Sequence, residues 1–386
     1  MMKRIRCGVA LIAVVSVLTI DCNNSKSSLP PLVIPEIVFT TSGSSFAPVI
    51  TVEGSPRILW TWDDGTTSDI AAPVKDYGSP AERKNRLMVI PWSAVTRINI
   101  GYDGGDGGSP SIEFVPDQHV TGVTGLRAVA PTLRQWCSSY NGISRLDFSN
   151  FIQIDTIECY CSNSLESVNL ANTPALKRAC FEDCNLHSLN LSGSPALEDL
   201  RAALNSYATI HFGSIGAHLR HVCVRDNPQI TEKNLFADMG RFPNIKELYI
   251  WNDNQTGEFA ITTPSAGGIS ILASGNNYTS ANFKDALSGP SGYSFIDLSR
   301  NNLTSINIDG CSQVVNLNVS SNFLNQASVD YILHTLVELG RSTANVPSWI
   351  TLEVNTGGSG NARPSADGLA DAAVLEGRGW IVTVNP

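Results

Sequence analysis

Residues 165 to 197 read LESVNLANTPALKRACFEDCNLHSLNLSGSPAL, and the segment LESVNLANTPAL at Leu165 returns as LHSLNLSGSPAL at Leu186, 21 residues on. Its apolar residues follow the template L-x-x-L-x-L-x-x-N-x-L. The same template fits from Leu133, Leu176, Leu197, Leu219, Ile245, Tyr293 and Val314, with looser matches from Ile154, Ile269 and Trp349. Recurrence at a fixed short period is the signature of a stacked architecture. The alternating L-x-L places apolar side chains on one face of a short strand, and the Asn position turns the chain.

A single coil of this kind cannot bury its apolar face alone. Stacking coils builds a shared interior and a parallel sheet with strands ~4.8 Å apart, so that ten coils give a sheet roughly 45 Å long. The pattern resembles bacterial leucine-rich repeats of the short nested kind, with second half-repeats beginning at Ile143, Leu165, Leu186, Tyr207 and Leu303. The resemblance spans residues 119–386. It implies an α/β solenoid, a right-handed superhelix with a parallel β-sheet. After residue 230 the spacing lengthens, and ITEKNLFADMGRF, TSANFKDALSG and QASVDYILHTLVELG read as helical turns on the side opposite the strands. The tail from about residue 326 to 386 reads as a C-terminal cap, with a helix and a closing strand at Trp380 to Val384.

Residues 30–118 have another character. PLVIPEIVFTT, PVITVEG, RILWTWDD, RLMVIPW and TRINIGYD read as short strands separated by Gly, Pro and Ser, as in a small β-sandwich. RILWTWDDGTTSD, with Tyr77-Gly78 after it, resembles the core of polycystic-kidney-disease-type β-domains, although Asp63 stands where that family usually has Gly. Residues 1–22 are expected to be an export signal: MMKRIR is a basic start, and CGVALIAVVSVLTI is an apolar run too short to span a bilayer comfortably. Residues 23–29 read as a linker. Cys22 sits where a bacterial lipoprotein carries its lipid, although Asp21 makes LTIDC a poor lipidation motif.

The chain has a net charge of −9 and no run of Lys or Arg after residue 6, which argues against nucleic acid as a partner. The six histidines show no metal-ligand spacing, and no G-x-S-x-G or phosphate-loop glycine motif is present. Asp103 and Asp106 in GYDGGDGGS offer hard oxygens, but a glycine-rich turn reads more simply there than a calcium site. Seven cysteines follow Cys22, an odd number that argues against a fully paired framework; Cys161 with Cys184 is the pair that adjacent coils could bring together. Cys184 and Cys311 take the Asn position of the template. No enzyme and no cofactor is expected.

What remains is the outer face of the sheet. Reading off template positions 2, 3, 5 and 7 gives Arg134, Tyr160, Arg178, Glu182, Arg201, Arg225, Tyr249, Trp251 and Arg300, among others. Aromatic side chains and Arg are what recognition surfaces favour. If the second half-repeat is the concave side instead, the exposed ladder is Glu166, Asn169, His187, Asn190, Thr304 and Asn307. The expected work is binding of a protein or glycan at a cell surface or matrix, by a secreted or surface-held chain with no membrane contact beyond a lipid anchor. The rival readings are a structural envelope component without a specific ligand, and a targeting or inhibitory subunit of an extracellular enzyme.

Overall fold

A computed structural model describes residues 35–101, 119–213, 215–232, 235–236, 239–261, 267–289, 292–348 and 351–386. The export signal, the linker, Cys22, Asp103 and Asp106 lie outside the described residues. Residues Pro35–Pro386 form one compact unit.

The chain is a β-solenoid built on the leucine-rich template. Thirteen strands form one continuous sheet. It begins with Val49–Val52, antiparallel to Val95–Asn99. Eleven further strands then join in parallel: Gln135–Cys137, Thr156–Glu158, Arg178–Cys180, Asp199–Arg201, His221–Cys223, Glu247–Tyr249, Ser270–Leu272, Ser294–Asp297, Val314–Asn318, Glu353–Asn355 and Ile381–Thr383. In strand after strand the central residue is buried, as at Ile157, Ala179, Leu200, Val222 and Leu248, while its two neighbours point outward. The second half-repeats make shorter sheets on the opposite side, such as Arg145–Asp147 with Ser167–Asn169 and Ser188–Asn190 with Thr209–His211. The continuous sheet therefore belongs to the first half-repeat.

The ninth template position forms a buried ladder: Asn141, Ser162, Cys184, Asn205, Asn227, Asp253, Asn276, Asn301 and Asn322, with Asn361 after them. Each Asn amide satisfies backbone groups that a sharp turn would otherwise orphan. Asn205 shows the pattern: Nδ2 donates to the Phe181 carbonyl at 2.6 Å and the Ala203 carbonyl at 2.9 Å, and Oδ1 accepts from the Leu186 N–H at 3.0 Å. Cys184 does part of that work, its thiol donating to the Cys159 carbonyl at 2.9 Å. Cys311 does the same toward Phe283 at 3.0 Å.

The residue before each ladder position is left-handed, at Tyr140, Cys161, Asp183, Leu204, Asp226, Asn252, Gly275, Arg300 and Ser321. Asn and Asp accept that conformation readily, while a branched apolar side chain does not. Leu204 has φ 55° and is 43% exposed, so neither its backbone nor its side chain is well placed. Leu204→Asn is expected to stabilise the chain by about 1 kcal/mol, read as a higher urea midpoint with unchanged slope. A lower midpoint would show that the leucine earns its place through a contact.

The N-terminal residues make a five-stranded antiparallel sheet in the order Thr67–Ser68, Arg57–Thr61, Arg83–Ile90, Ile37–Thr41 and Val120–Thr124. Phe46 of Ser45–Phe46 packs edge-on against Trp60 and Trp62, and the two tryptophans stack with centroids 5.6 Å apart. Strands on both sides of residue 118 are joined: Val120–Thr124 pairs with Ile37–Thr41, and Val95–Asn99 pairs with Gln135–Cys137.

The convex-side helices are fewer than the spacing predicts. QASVDYILHTLVEL forms an α-helix, α1, over Gln326–Leu339, with Asn325 as its N-cap and left-handed Gly340 closing it. A second helix, α2, spans Ala366–Gly377 behind the N-cap Ser365. TSANFKDALSG is not helical: Asn277–Asn282 is a strand paired with Thr256–Ala260. Tyr278 and Ala281 turn into the core from that strand and Phe283 just beyond it, an apolar set close enough to helical spacing to mislead. Among the described residues of 230–242, only the 3-10 turn Met239–Arg241 is helical. The loose matches also shift. Ile271, not Leu272, is the central buried residue paired with Leu248, so that coil starts at Gly268, one residue before Ile269. Val354 pairs with Leu317, which moves the last template start from Trp349 to Thr351.

Candidate functional site

The outward residues of the strands from Thr156–Glu158 to Glu247–Tyr249 form a connected polar and aromatic face. Opposite charges directly across neighbouring strands stabilise a sheet and fix side-chain positions. Here Arg178, Asp199, His221 and Glu247 stand directly opposite one another from strand to strand, with Glu158 diagonal to Arg178 and Arg201 two residues along from Asp199. Arg178 lies 3.5 Å from Glu158 and 3.9 Å from Asp199. Asp199 also meets Arg201 at 3.4 Å and His221 Nδ1 at 2.5 Å. His221 Nε2 lies 3.7 Å from Glu247, whose carboxylate accepts from the Tyr249 hydroxyl at 3.2 Å. Burial acts to raise the Asp199 carboxyl, but the His221 hydrogen bond and the Arg201 and Arg178 charges outweigh it, leaving the group below the ordinary carboxylate range. Burial, helped by the Glu247 charge, pushes the Tyr249 phenol up.

A second row, at the turn end of the same strands, carries the larger side chains. Arg225 lies over the Trp251 ring, 5.0 Å from its centroid, and is held by Asp226 at 2.6 Å and Glu182 at 4.0 Å. Trp251 is 6.0 Å from Tyr249, and Tyr249 meets the His221 ring nearly edge-on at 5.5 Å. Tyr160 packs edge-on against Tyr140 at 5.4 Å, two coils before Asp199–Arg201. All of these side chains are half-buried except Tyr140, which is exposed.

Of the residues singled out from sequence, Arg178, Arg201, Glu182, Arg225, Tyr249 and Trp251 come together on this face, with Tyr160 at its edge. Arg300 does not join them. It occupies the left-handed turn position of the Ser294–Asp297 coil, two strands beyond Glu247–Tyr249, and is exposed. The template position was miscounted by one there, since Arg300 follows the seventh position rather than filling it. Glu158, Asp199, His221 and Glu247 were missed. The signal existed, because all four fall at the third or fifth position, as Arg178, Arg201 and Tyr249 do.

Cys137, Cys180 and Cys223 lie on the same face at every second strand. Burial pushes the Cys180 thiol up to about 12 and the Cys223 thiol up to about 11, so neither is a thiolate nucleophile. The described cysteines form no disulfide with one another, and the Cys184 thiol is committed to the Cys159 carbonyl rather than to Cys161. No group of three His, Cys, Asp or Glu side chains among the described residues is arranged to hold a metal ion. No described helix is long and apolar enough to cross a membrane. On the opposite side, an open groove of about 420 Å³ runs between Gly125–Arg127 and Arg145–Asp147, with Arg127 held by Asp147 at 2.9 Å.

No protein-family model matches the sequence. No curated protein matches it either. Among solved structures the chain is similar to an internalin, inlF, from Listeria monocytogenes, at 10% identity and a TM-score of 0.39, over 75% of this chain and 82% of that one. At that distance nothing about partner or activity transfers from the internalin to this chain.

Proposed function

We propose that the chain is a non-catalytic binding protein that recognises a protein or glycan at a cell surface or matrix through the outer face of its continuous sheet. The observation that carries the reading is the clustering of Arg225, Trp251 and Tyr249 beside the charge ladder from Glu158 to Glu247. Trp, Tyr and Arg dominate binding energy where they are already held in place. These side chains are locked by neighbours before any partner arrives, so little rotamer entropy is left to lose on contact. Glu158, Asp199 and Glu247 widen the site beyond the residues read from sequence.

The basic start and apolar run of residues 1–22 support export, and Cys22 supports a lipid anchor at the envelope. The stacked Trp60 and Trp62 beside the Asp63-Asp64-Gly65 turn support a polycystic-kidney-disease-type domain at the head of the solenoid.

The test is capture from surface-protein extracts and glycan arrays by the full chain and by a Tyr249→Ala, Trp251→Ala, Arg225→Ala variant. The variant is expected to lose capture by a hundredfold or more, since two or three such residues supply about 2 kcal/mol each, while its unfolding midpoint changes little. Equal capture by both proteins removes the face from consideration. Empty capture by the native chain favours a structural envelope role, for which the internally satisfied charge ladder is already suited.

A further inference from the structure

The ladder contains one carboxyl. Asp253 takes the ninth position of its coil, where Asn227 precedes it and Asn276 follows. It is 1% exposed. Its Oδ1 accepts from the Asn227 N–H at 2.8 Å, as the ladder requires. Its own N–H donates to Asn276 Oδ1 at 3.0 Å. Its Oδ2 has no hydrogen-bond partner.

That oxygen stands where its neighbours carry a donor. Asn227 Nδ2 donates to the carbonyls of Ala202, Val224 and Arg225, and Asn276 Nδ2 to those of Ile250 and Ala273. By the same register, Asp253 Oδ2 faces the Val224, Ile250 and Trp251 carbonyls. All three are acceptors. A carboxylate there has nothing to accept from and meets only negative ends of dipoles, whereas a carboxylic acid has a proton to give.

We propose that the solenoid folds around one bound proton, with Asp253 entering the ladder as the neutral acid and its Oδ2–H donating to a ladder carbonyl. Loss of that proton marks the coil at which the stack weakens as its surroundings turn alkaline. The charged and titratable groups around it are few. Arg225 and Asp226 come from the preceding coil, and the Tyr278 phenol, itself buried without a partner, comes from the following one. Burial, the largest influence, pushes the Asp253 carboxyl up to about 8; the Asn227 N–H and Arg225 oppose it and Asp226 adds to it.

The linkage has a definite sign. The unfolded chain releases this proton at about pH 4, and the folded chain keeps it to about pH 8. Between those values the folded state binds more protons, so stability falls as pH rises, by up to about tenfold in the folded-to-unfolded ratio per pH unit. Below that window the contribution is fully present, and above it the loss is complete.

The experiment is urea unfolding of the full chain and of Asp253→Asn from pH 5 to pH 9. Asn restores the ladder donor without a proton to lose. The native chain is expected to lose ground steadily against Asp253→Asn up to about pH 8 and to level off above it, with the variant the more stable at pH 8. Parallel curves would overturn the proposal. An infrared difference spectrum at pH 6 gives a second reading independent of stability: a protonated-carboxyl C=O band present in the native chain and missing from Asp253→Asn. Absence of that band overturns the proposal even if the variant is more stable.

Discussion

Asn227→Ala is expected to lower the stability of the folded chain by about 4 kcal/mol, well above the cost of removing a surface hydrogen bond. Asn227 is fully buried. Its Nδ2 donates to Val224 at 2.6 Å, Ala202 at 3.1 Å and Arg225 at 3.1 Å, and its Oδ1 accepts from the Asn205 N–H at 3.1 Å. The substitution therefore orphans three carbonyls in part and one N–H entirely. A buried polar group left without a partner costs about 1–3 kcal/mol, and the losses here are not additive because they share one turn. The position is also central. In a stack whose stability is a sum of coils and interfaces, damage in the middle cannot be shed by fraying an end. Cys184→Ala is the internal comparison. It removes one thiol-to-carbonyl bond at 2.9 Å, for which about 1 kcal/mol is expected. Urea unfolding of the three chains checks the order. A loss at Asn227 no larger than at Cys184 would mean that water enters the turn and replaces the amide.

The solenoid was legible because its physics is local and repeated. Leu176, Ala179, Phe181 and Cys184 are each meaningless alone, but the same spacing at Leu197, Leu200, Ala202 and Asn205 fixes which residues turn inward. The period of two within each strand then fixes the outward residues, so Arg178, Arg201 and Tyr249 could be placed without coordinates. Legibility failed where the coil length changed. Past residue 230 the half-repeats lengthen, and Tyr278, Ala281 and Phe283 present spacings that fit neither period cleanly. The off-by-one at Ile269 arose from the same cause, because Gly268 holds the first template position without an apolar side chain. The charge ladder was half legible. That Asp199 and His221 stand opposite each other follows from the template, but their 2.5 Å contact depends on rotamers, which spacing does not specify. Asp253 was invisible as an anomaly, because Asp at a turn is unremarkable until the turn is known to be buried.

A chain cut to residues 119–386, the boundary that composition suggests, is expected to lose cooperative folding and to aggregate. The long sheet does not begin at that boundary. Val95–Asn99 lies beside Gln135–Cys137 in parallel register, with Ile98 opposite Trp136. The Arg134 N–H donates to the Thr96 carbonyl at 2.8 Å, and the Ile100 N–H to the Cys137 carbonyl at 2.9 Å. Asn141, the first rung of the ladder, donates to the Ile100 carbonyl at 2.7 Å. The cut removes every one of these partners. It also strips Val120–Thr124 of its neighbour Ile37–Thr41, although those residues stay in the truncated chain. Gly125 shows how close that approach is: a Cβ there would collide with the Glu36 carbonyl. What is left is an open strand edge beside Trp136, Leu133 and Val129, all buried in the intact chain. Unpaired edges and uncapped apolar coils are the features that drive repeat proteins to associate. Size-exclusion chromatography and urea unfolding of the truncated chain, run beside one starting at residue 35, give the answer. A monomer that unfolds in one transition at the midpoint of the longer chain would mean that the solenoid supplies its own N-terminal cap, and that the sheet through Val95–Asn99 is an attachment and not a foundation.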